Sequence, residues 1–499
     1  VTPSISHSRT NLLILGLILA LAAVLRIQNL SALGFWTDEL GAMSASGGWG
    51  LDFVRPPLNR IIDQPLRDCT RLADARPVAQ IIPGLIRDES HPPIYFLLQR
   101  FWRAMFGDSE SAVRSLNVLF SLAAIPLLFF ASSRSVGVRP ALWACLLMAV
   151  ASPQITFAQE ARNYMPGMTF SLLALVCMQR FQARPTTTGG IAFGVSLLAM
   201  MLTHYFTAGA GVAMAIFAAT TFQGRSRRMV INSFIIAAIL FHLLWGIPLW
   251  HQLPNFHSNY TWLADTSPGR LQRWLLRLCT VPVGLIADRS WPIAIAGGIT
   301  LLWLPIAFVR RPELRLWILW FACSLGLIAG LDLVRSTTLL TLPRYLLFAT
   351  PAAYVLIAAA IPGRGNWIAP SVAIIAAIFA LRSAYIPDWK IDDRTPVQLL
   401  ARRLRPTDGL VISGPDAVAD AVLFGACQHY MPKLPRTCAV LTAPPNATVL
   451  ERLRQCPRVG VIWLWPDRSI RGFDIQDQGS VPYMGTILIG SYRSPASSR

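Results

Sequence analysis

Residues 11–27 read NLLILGLILALAAVLRI, an almost unbroken apolar run that starts just after Arg9 and closes on Arg26 and Ile27. A helix needs roughly 20 mostly apolar residues to cross the hydrocarbon of a bilayer. The run lacks a small-residue cleavage signature, so it predicts a retained span rather than a removed signal peptide. Similar runs recur, among them Ile191 to Thr203 and Val230 to Trp250. Hydrophobic residues make up 54% of the 499 and charged residues 14%, far below the share of charge in a soluble domain. A soluble globule of this composition would expose enough apolar area to aggregate. The chain therefore reads as an α-helical polytopic membrane protein. Beyond the first span, further spans are expected at roughly 113–133, 140–157, 166–181, 190–204, 206–222, 230–249, 291–309, 316–334, 345–361 and 368–386, about eleven in all.

The formal charge is +19, from 44 basic and 25 acidic residues, and only Lys390 and Lys433 among the basic residues are lysines. Nucleic acid is set aside as a partner, because the arginines sit in short loops between apolar runs and there set topology. Arg134 and Arg139 share one loop, Arg180 and Arg184 another, Arg225, Arg227 and Arg228 a third. Arg310, Arg311 and Arg315 follow, then Arg364. All fall on one side if the N-terminus is cytoplasmic, which predicts a multi-pass protein of the cytoplasmic (inner) membrane with its tail outside. Ile94 to Phe106 and Trp274 to Ala287 are apolar but short or arginine-bearing, and are expected as helices lying in the outer interface. Two outer segments are long: residues 29–112, and the tail. The expected organisation is a transmembrane domain over 1–386 and a small extracytoplasmic α/β domain over 387–499. In the tail, Val397 to Leu404 and Ala417 to Gly425 read as helices. Leu410 to Ser413, Cys438 to Thr442, Val459 to Trp465 and Thr486 to Tyr492 read as strands.

Cys145, Cys177 and Cys323 fall in spans and read as packing residues. Cys69, Cys279, Cys427, Cys438 and Cys456 fall outside, where an oxidising compartment would permit a bond among the last three. The sequons at Asn259 and Asn446 are also on the outer side.

Ionisable and aromatic groups collect on that same side. The first outer segment opens with Phe35-Trp36-Thr37-Asp38-Glu39 and later carries His91-Pro92-Pro93-Ile94-Tyr95. The next outer loop reads Gln159-Glu160-Ala161-Arg162-Asn163-Tyr164, and later edges carry His204-Tyr205 and Pro343-Arg344-Tyr345. Taken singly, each residue suits an ordinary interface: tryptophan sits at headgroup level and arginine snorkels. Convergence of such groups on one face suggests a site there without naming a reaction.

The order of these motifs resembles the C-type (GT-C) membrane glycosyltransferases, in the bacterial branch related to protein O-mannosyltransferases and the aminoarabinose transferase of lipid A. That family has an Asp-Glu motif after the first span, a His-Pro-Pro or Lys-Pro-Pro segment with an interfacial helix, an acidic second outer loop and a late Arg-Tyr motif. The likeness covers roughly residues 10 to 385. It implies an enzyme that moves a sugar from a polyprenyl-phosphate donor to an envelope lipid, glycan or protein, amid membrane lipids. By the same likeness Asp38 is the general base and Glu39 supports it. Glu160 matches the position where some relatives hold a divalent metal or an acceptor, Arg344 is the first candidate for the phosphate and Arg162 the second. His91, Tyr164, His204 and Tyr345 complete the expected substrate-binding set. The leaving group is already a phosphate, so one base and several cations suffice, unlike the paired carboxylates of glycosidases. With one acid in the second loop where some relatives have two, a metal is left open. The insertion Trp49 to Ile86 matches nothing in the family. A secondary transporter and a non-catalytic envelope assembly protein are the rival readings; few charges lie within the spans, which disfavours the transporter.

Overall fold

The computed structural model describes residues 8–62, 68–258, 263–284, 291–360 and 394–492, apart from 414–416, 432–433, 444, 464–472 and 482–484. The span expected at 368–386 and the sequon at Asn259 lie outside these residues. The chain forms two compact units.

The first unit joins Val1–Leu30, Ser90–Tyr95 and Arg114–Asp388, and its elements among the described residues are helices joined by short loops. Five helices are long and apolar enough to cross a membrane: Arg9–Ile27, Glu110–Val136, Gly224–Phe256, Pro312–Arg335 and Pro343–Ala360. A bent pair, Val138–Val150 with Ser152–Ala158, makes up to six among the described residues. The stretches expected at 190–204 and 206–222 form shorter apolar helices, Thr187–Met201 and Tyr205–Thr221, and Tyr164–Ala183 is helical over 20 residues. These helices mark a multi-pass membrane protein. On Gly224–Ser258, Leu243, Ile247 and Trp250 are exposed on one stripe, a face that suits lipid and not water. Inside, small residues let helices meet: a Cβ on Gly209 would come within 2.5 Å of Ser324 Cα, so the helices Ala208–Thr221 and Arg315–Arg335 touch backbone to backbone there. Buried indole N–H groups find acceptors, Trp320 on Phe348 O (2.7 Å) and Trp317 on Ser135 Oγ (2.8 Å).

The single span expected at 140–157 is instead broken at Ala151, and its halves bend by 56°. Pro153 has no N–H to give to Ala149, so a continuous helix would leave that carbonyl bare in an apolar interior. Arg26, fully buried at the end of the first helix, supplies the missing donors. Its guanidinium gives hydrogen bonds to Ala149 O (2.8 Å), Met148 O (2.9 Å) and Ser121 Oγ (2.8 Å). One residue that looked like a span-closing arginine thus holds a break in another helix.

The second unit joins Ser31–Glu89, Phe96–Val113 and Trp389–Arg499. Its centre is a six-stranded sheet in the order β1-β3-β2-β4-β6-β5, formed by Ile61–Ile62 (β1), Gly409–Ser413 (β2), Thr437–Val440 (β3), Val459–Trp463 (β4), Phe473–Val481 (β5) and Gly485–Tyr492 (β6). β3, β2 and β4 run parallel, with crossover helices Ala417–Tyr430 and Ala447–Arg454; β1, β6 and β5 are antiparallel to their neighbours. Val411, Ala439, Val459, Val461 and Leu453 form the apolar centre. β1 comes from the 29–112 segment, so that segment and the tail share one sheet.

Candidate functional site

Within the first unit, the loop after the broken helix carries Glu160 and Arg162 and is pinned on several sides. Gln159 Nε2 donates to Arg26 O (3.0 Å) and Gln28 O (2.8 Å). Asn117, the lone amide of the helix Glu110–Val136, donates to the carbonyls of Glu160 and Arg162. Asn163 Nδ2 donates to Thr203 O (3.0 Å), tying the loop to the turn that bears His204. Glu160 and its neighbours Arg162 and Asn163 are buried.

Arg162 Nη2 lies 3.1 Å from His91 Nε2. A guanidinium can only donate, so Nε2 accepts and the His91 proton resides on Nδ1. His204 is fixed the opposite way: its Nδ1 accepts the Phe206 backbone N–H (3.1 Å), which leaves the proton on Nε2. Neither His91 Nδ1 nor His204 Nε2 meets an acceptor among the described residues, though both are buried. The two rings lie 5.1 Å apart. Burial drives the His91 pKa well below its ordinary value, and the charges of Arg162, His204 and Arg344 push the same way. Burial, then Arg162, lowers His204 to about 3. Both imidazoles are therefore neutral hydrogen-bond donors at neutral pH.

Aromatic rings box this pair. Phe348, Phe206 and Tyr164 lie 4.7, 5.3 and 5.6 Å from the His204 ring. Gly167 leaves room for it: a Cβ there would sit 3.0 Å from Phe348 and 3.2 Å from His204 Cβ. Tyr345 packs edge-on against Phe206 (5.5 Å), with the Arg344 guanidinium 5.5 Å from the Tyr345 ring. Beside the box lies an apolar cavity of about 350 Å³, lined by Tyr205, Phe206, Phe241, Leu253, Phe256 and Leu331 among others. Its polar lining residues are Thr207, Arg335, Thr337 and Tyr205; the Tyr205 hydroxyl donates to Gln252 Oε1 (2.6 Å) and accepts from Trp245 Nε1 (2.7 Å).

Six of the nine sequence-derived residues thus gather in one unit around His204 and His91: His91, Arg162, Tyr164, His204, Arg344 and Tyr345. Glu160 lies two residues from Arg162 in the same loop. Asp38 and Glu39 belong to the second unit, in the first turn of helix Thr37–Ser46. Asp38 is half-buried; Glu39 is fully buried and its Oε2 accepts the Trp36 N–H (3.3 Å). That bond makes Glu39 the cap of the turn that presents Asp38. Sequence reasoning overlooked Asn117, although a lone amide in an apolar helix is itself a signal. Among the described residues no three His, Cys, Asp or Glu side chains gather to hold a metal ion. Glu160 is one carboxylate, where a hard cation takes six or more oxygens.

A family model described as dolichyl-phosphate-mannose-protein mannosyltransferase matches residues 90–250, the stretch that carries His91, Glu160, Arg162, Tyr164 and His204. No curated protein sequence matches the chain. Two crystal structures of ArnT from Cupriavidus metallidurans share its fold. The one bound to undecaprenyl phosphate has a TM-score of 0.57 at 13% identity, over 97% of this chain and 98% of that one. The apo form has a TM-score of 0.52 at 14% identity, over 95% and 97%. The chain has the fold of the C-type membrane glycosyltransferases.

Proposed function

We propose that the protein is a membrane glycosyltransferase that moves a sugar from a polyprenyl-phosphate donor to an envelope lipid, glycan or protein. In this reading it works on the outer face of the cytoplasmic membrane, with its N-terminus inside and its tail outside. The observation that carries the reading is the donor set around His91 and His204. Two buried, neutral imidazole N–H groups without an acceptor among the described residues, beside two arginines, suit the oxygens of a phosphate. The apolar cavity beside them, within a membrane unit, suits a lipid chain. ArnT, whose fold the chain shares, is known bound to undecaprenyl phosphate.

The chemistry follows from those groups. The acceptor hydroxyl attacks the anomeric carbon opposite the phosphate, and the C–O bond to phosphate breaks as the new bond forms, inverting the centre. The hydroxyl proton passes to the Asp38 carboxylate, the general base. The phosphate diester leaves as a monoester, so its negative charge rises during the step. Arg344 and Arg162, with the two imidazole N–H groups, stabilise that growing charge more than the ground state. No general acid is required. The test is transfer of label from radiolabelled polyprenyl-phosphate sugars to envelope lipids and glycans. Asp38→Asn should lower turnover by roughly 10²–10⁴-fold. Wild-type turnover in a folded, membrane-inserted Asp38→Asn protein would remove Asp38 from the mechanism.

A further inference from the structure

The segment that leads into Asp38 is held by the tail of the same unit. Phe35 is fully buried, and its backbone N–H donates to the Tyr430 hydroxyl at 2.6 Å. Its ring meets the His429 ring edge-on, 5.5 Å between centroids at 75°. Both partners lie in the last turn of the tail helix Ala417–Tyr430. The carbonyls of Ser31 and Ala32, four and three residues before Phe35, accept from Arg394 (3.1 and 2.6 Å), which also pairs with Glu110 (3.1 Å). The residues just before the Asp38 turn are therefore gripped at two points, three to seven positions ahead of the carboxylate.

The grip is itself braced by the insertion that matches nothing in the family. Thr70 Oγ donates to Asp68 Oδ1 (2.5 Å). Having given its one proton away, the hydroxyl accepts from His429 Nδ1 (2.8 Å). Arg71 donates to the His429 carbonyl (2.6 Å) and to Asp68 Oδ2 (3.0 Å). The His429 ring is thus locked in orientation before it meets Phe35. Helix Thr37–Ser46 is buried from Glu39 to its end, so any shift of Phe35 is passed to the first turn and to Asp38.

We propose that Tyr430 and His429 are positioning residues for Asp38: the tail helix fixes the direction in which the base is presented, and the 49–86 insertion exists to hold that helix turn. The proposal rests on the reading of Asp38 as the base. It gives the tail domain a part in the reaction, through the backbone of Phe35.

Two readouts on full-length protein test it. The first is hydrogen exchange at the Phe35 amide in Tyr430→Phe, a substitution that removes one oxygen from a half-buried ring. Loss of that acceptor should speed exchange by about tenfold, while amides of helix Tyr164–Ala183 stay as in wild type. Unchanged exchange at Phe35 overturns the clamp, whether or not any turnover has been found. The second readout is turnover with undecaprenyl-phosphate mannose and undecaprenyl-phosphate aminoarabinose in membrane vesicles. Tyr430→Phe should lower turnover about tenfold with donor KM unchanged. In the Asp38→Asn background the same change should cost nothing more, because the group it positions is gone. Costs that multiply in the double variant overturn the proposal, since Tyr430 would then act without Asp38. Wild-type turnover in Asp38→Asn alone would instead sink the reading of the base, a result the exchange measurement does not share.

Discussion

Lowering the pH from 7 to 5 should weaken the fold through His204 in particular. The histidine is neutral in the folded protein, its pKa lowered by burial to about 3, whereas in the unfolded chain it titrates near 6.5. Between these two values the unfolded state binds the extra proton. Stability from this group is therefore complete above pH 6.5 and is lost as pH falls toward 3. At pH 5 the loss amounts to about 2 kcal/mol, roughly a thirtyfold change in the folded-to-unfolded ratio. His91 shifts in the same direction and adds to the effect. His204→Asn isolates the contribution: asparagine keeps an acceptor for the Phe206 N–H at this cap position and does not titrate. Unfolding free energies by denaturant titration in bicelles at pH 7 and pH 5 give the comparison, with His91 common to both proteins. Wild type should lose about 2 kcal/mol more than the variant over that interval. Equal losses would refute the burial argument and with it the assignment of His204 as a neutral donor.

Arg26→Met should destabilise the protein by roughly 3 kcal/mol or more, because two buried carbonyls and a hydroxyl lose a charged donor; a thermal melt within one degree of wild type would refute the helix-break account. Arg344→Lys keeps the charge and loses the fork, so turnover should fall more than donor affinity; unchanged turnover and donor binding would leave Arg344 as a headgroup anchor and Arg162 as the leading cation. Cysteines placed in the tail and in 49–86 should react with an impermeant maleimide from outside, and cysteines at 225–228 should not; labelling of the tail only from inside would overturn the topology.

The sequence made the membrane class plain because apolar runs are long and the loop arginines alternate in a regular way. Span edges were harder. Nothing in 140–157 distinguished a straight helix from a broken one except Pro153, and the compensating Arg26 lies more than a hundred residues away. In the tail, the strands read at Leu410 to Ser413 and Val459 to Trp465 were legible, and the second runs over Val459–Trp463, since buried parallel strands are short, dense apolar runs. Ile61–Ile62 was not, because two residues carry no periodicity and their partner is β3. The loop motifs identified which residues to watch. What they could not disclose was the tautomer of each histidine. That depends on Arg162 reaching His91 and on a backbone N–H reaching His204, both consequences of tertiary packing. Glu39, read as an acid beside the base, is turned back on its own helix for the same reason.

The pairing of Ile61 and Ile62 with Ala439 and Cys438 also constrains how the protein can be made. The segment that carries Ile61 and Ile62 emerges from the ribosome well ahead of its strand partner. At 5–20 residues per second, roughly 380 residues of synthesis separate the two, a delay of about 20 to 75 seconds. During that interval the buried helix Thr37–Ser46, the apolar edge at Ile61 and the Asp68–Arg71 brace all wait without the tail. The 31–89 segment is thus the part most open to proteolysis and misassembly during biogenesis, and the turn that carries Asp38 is assembled last. A ribosome stalled before residue 437 would leave a membrane-inserted chain with its spans in place and its second unit unfolded.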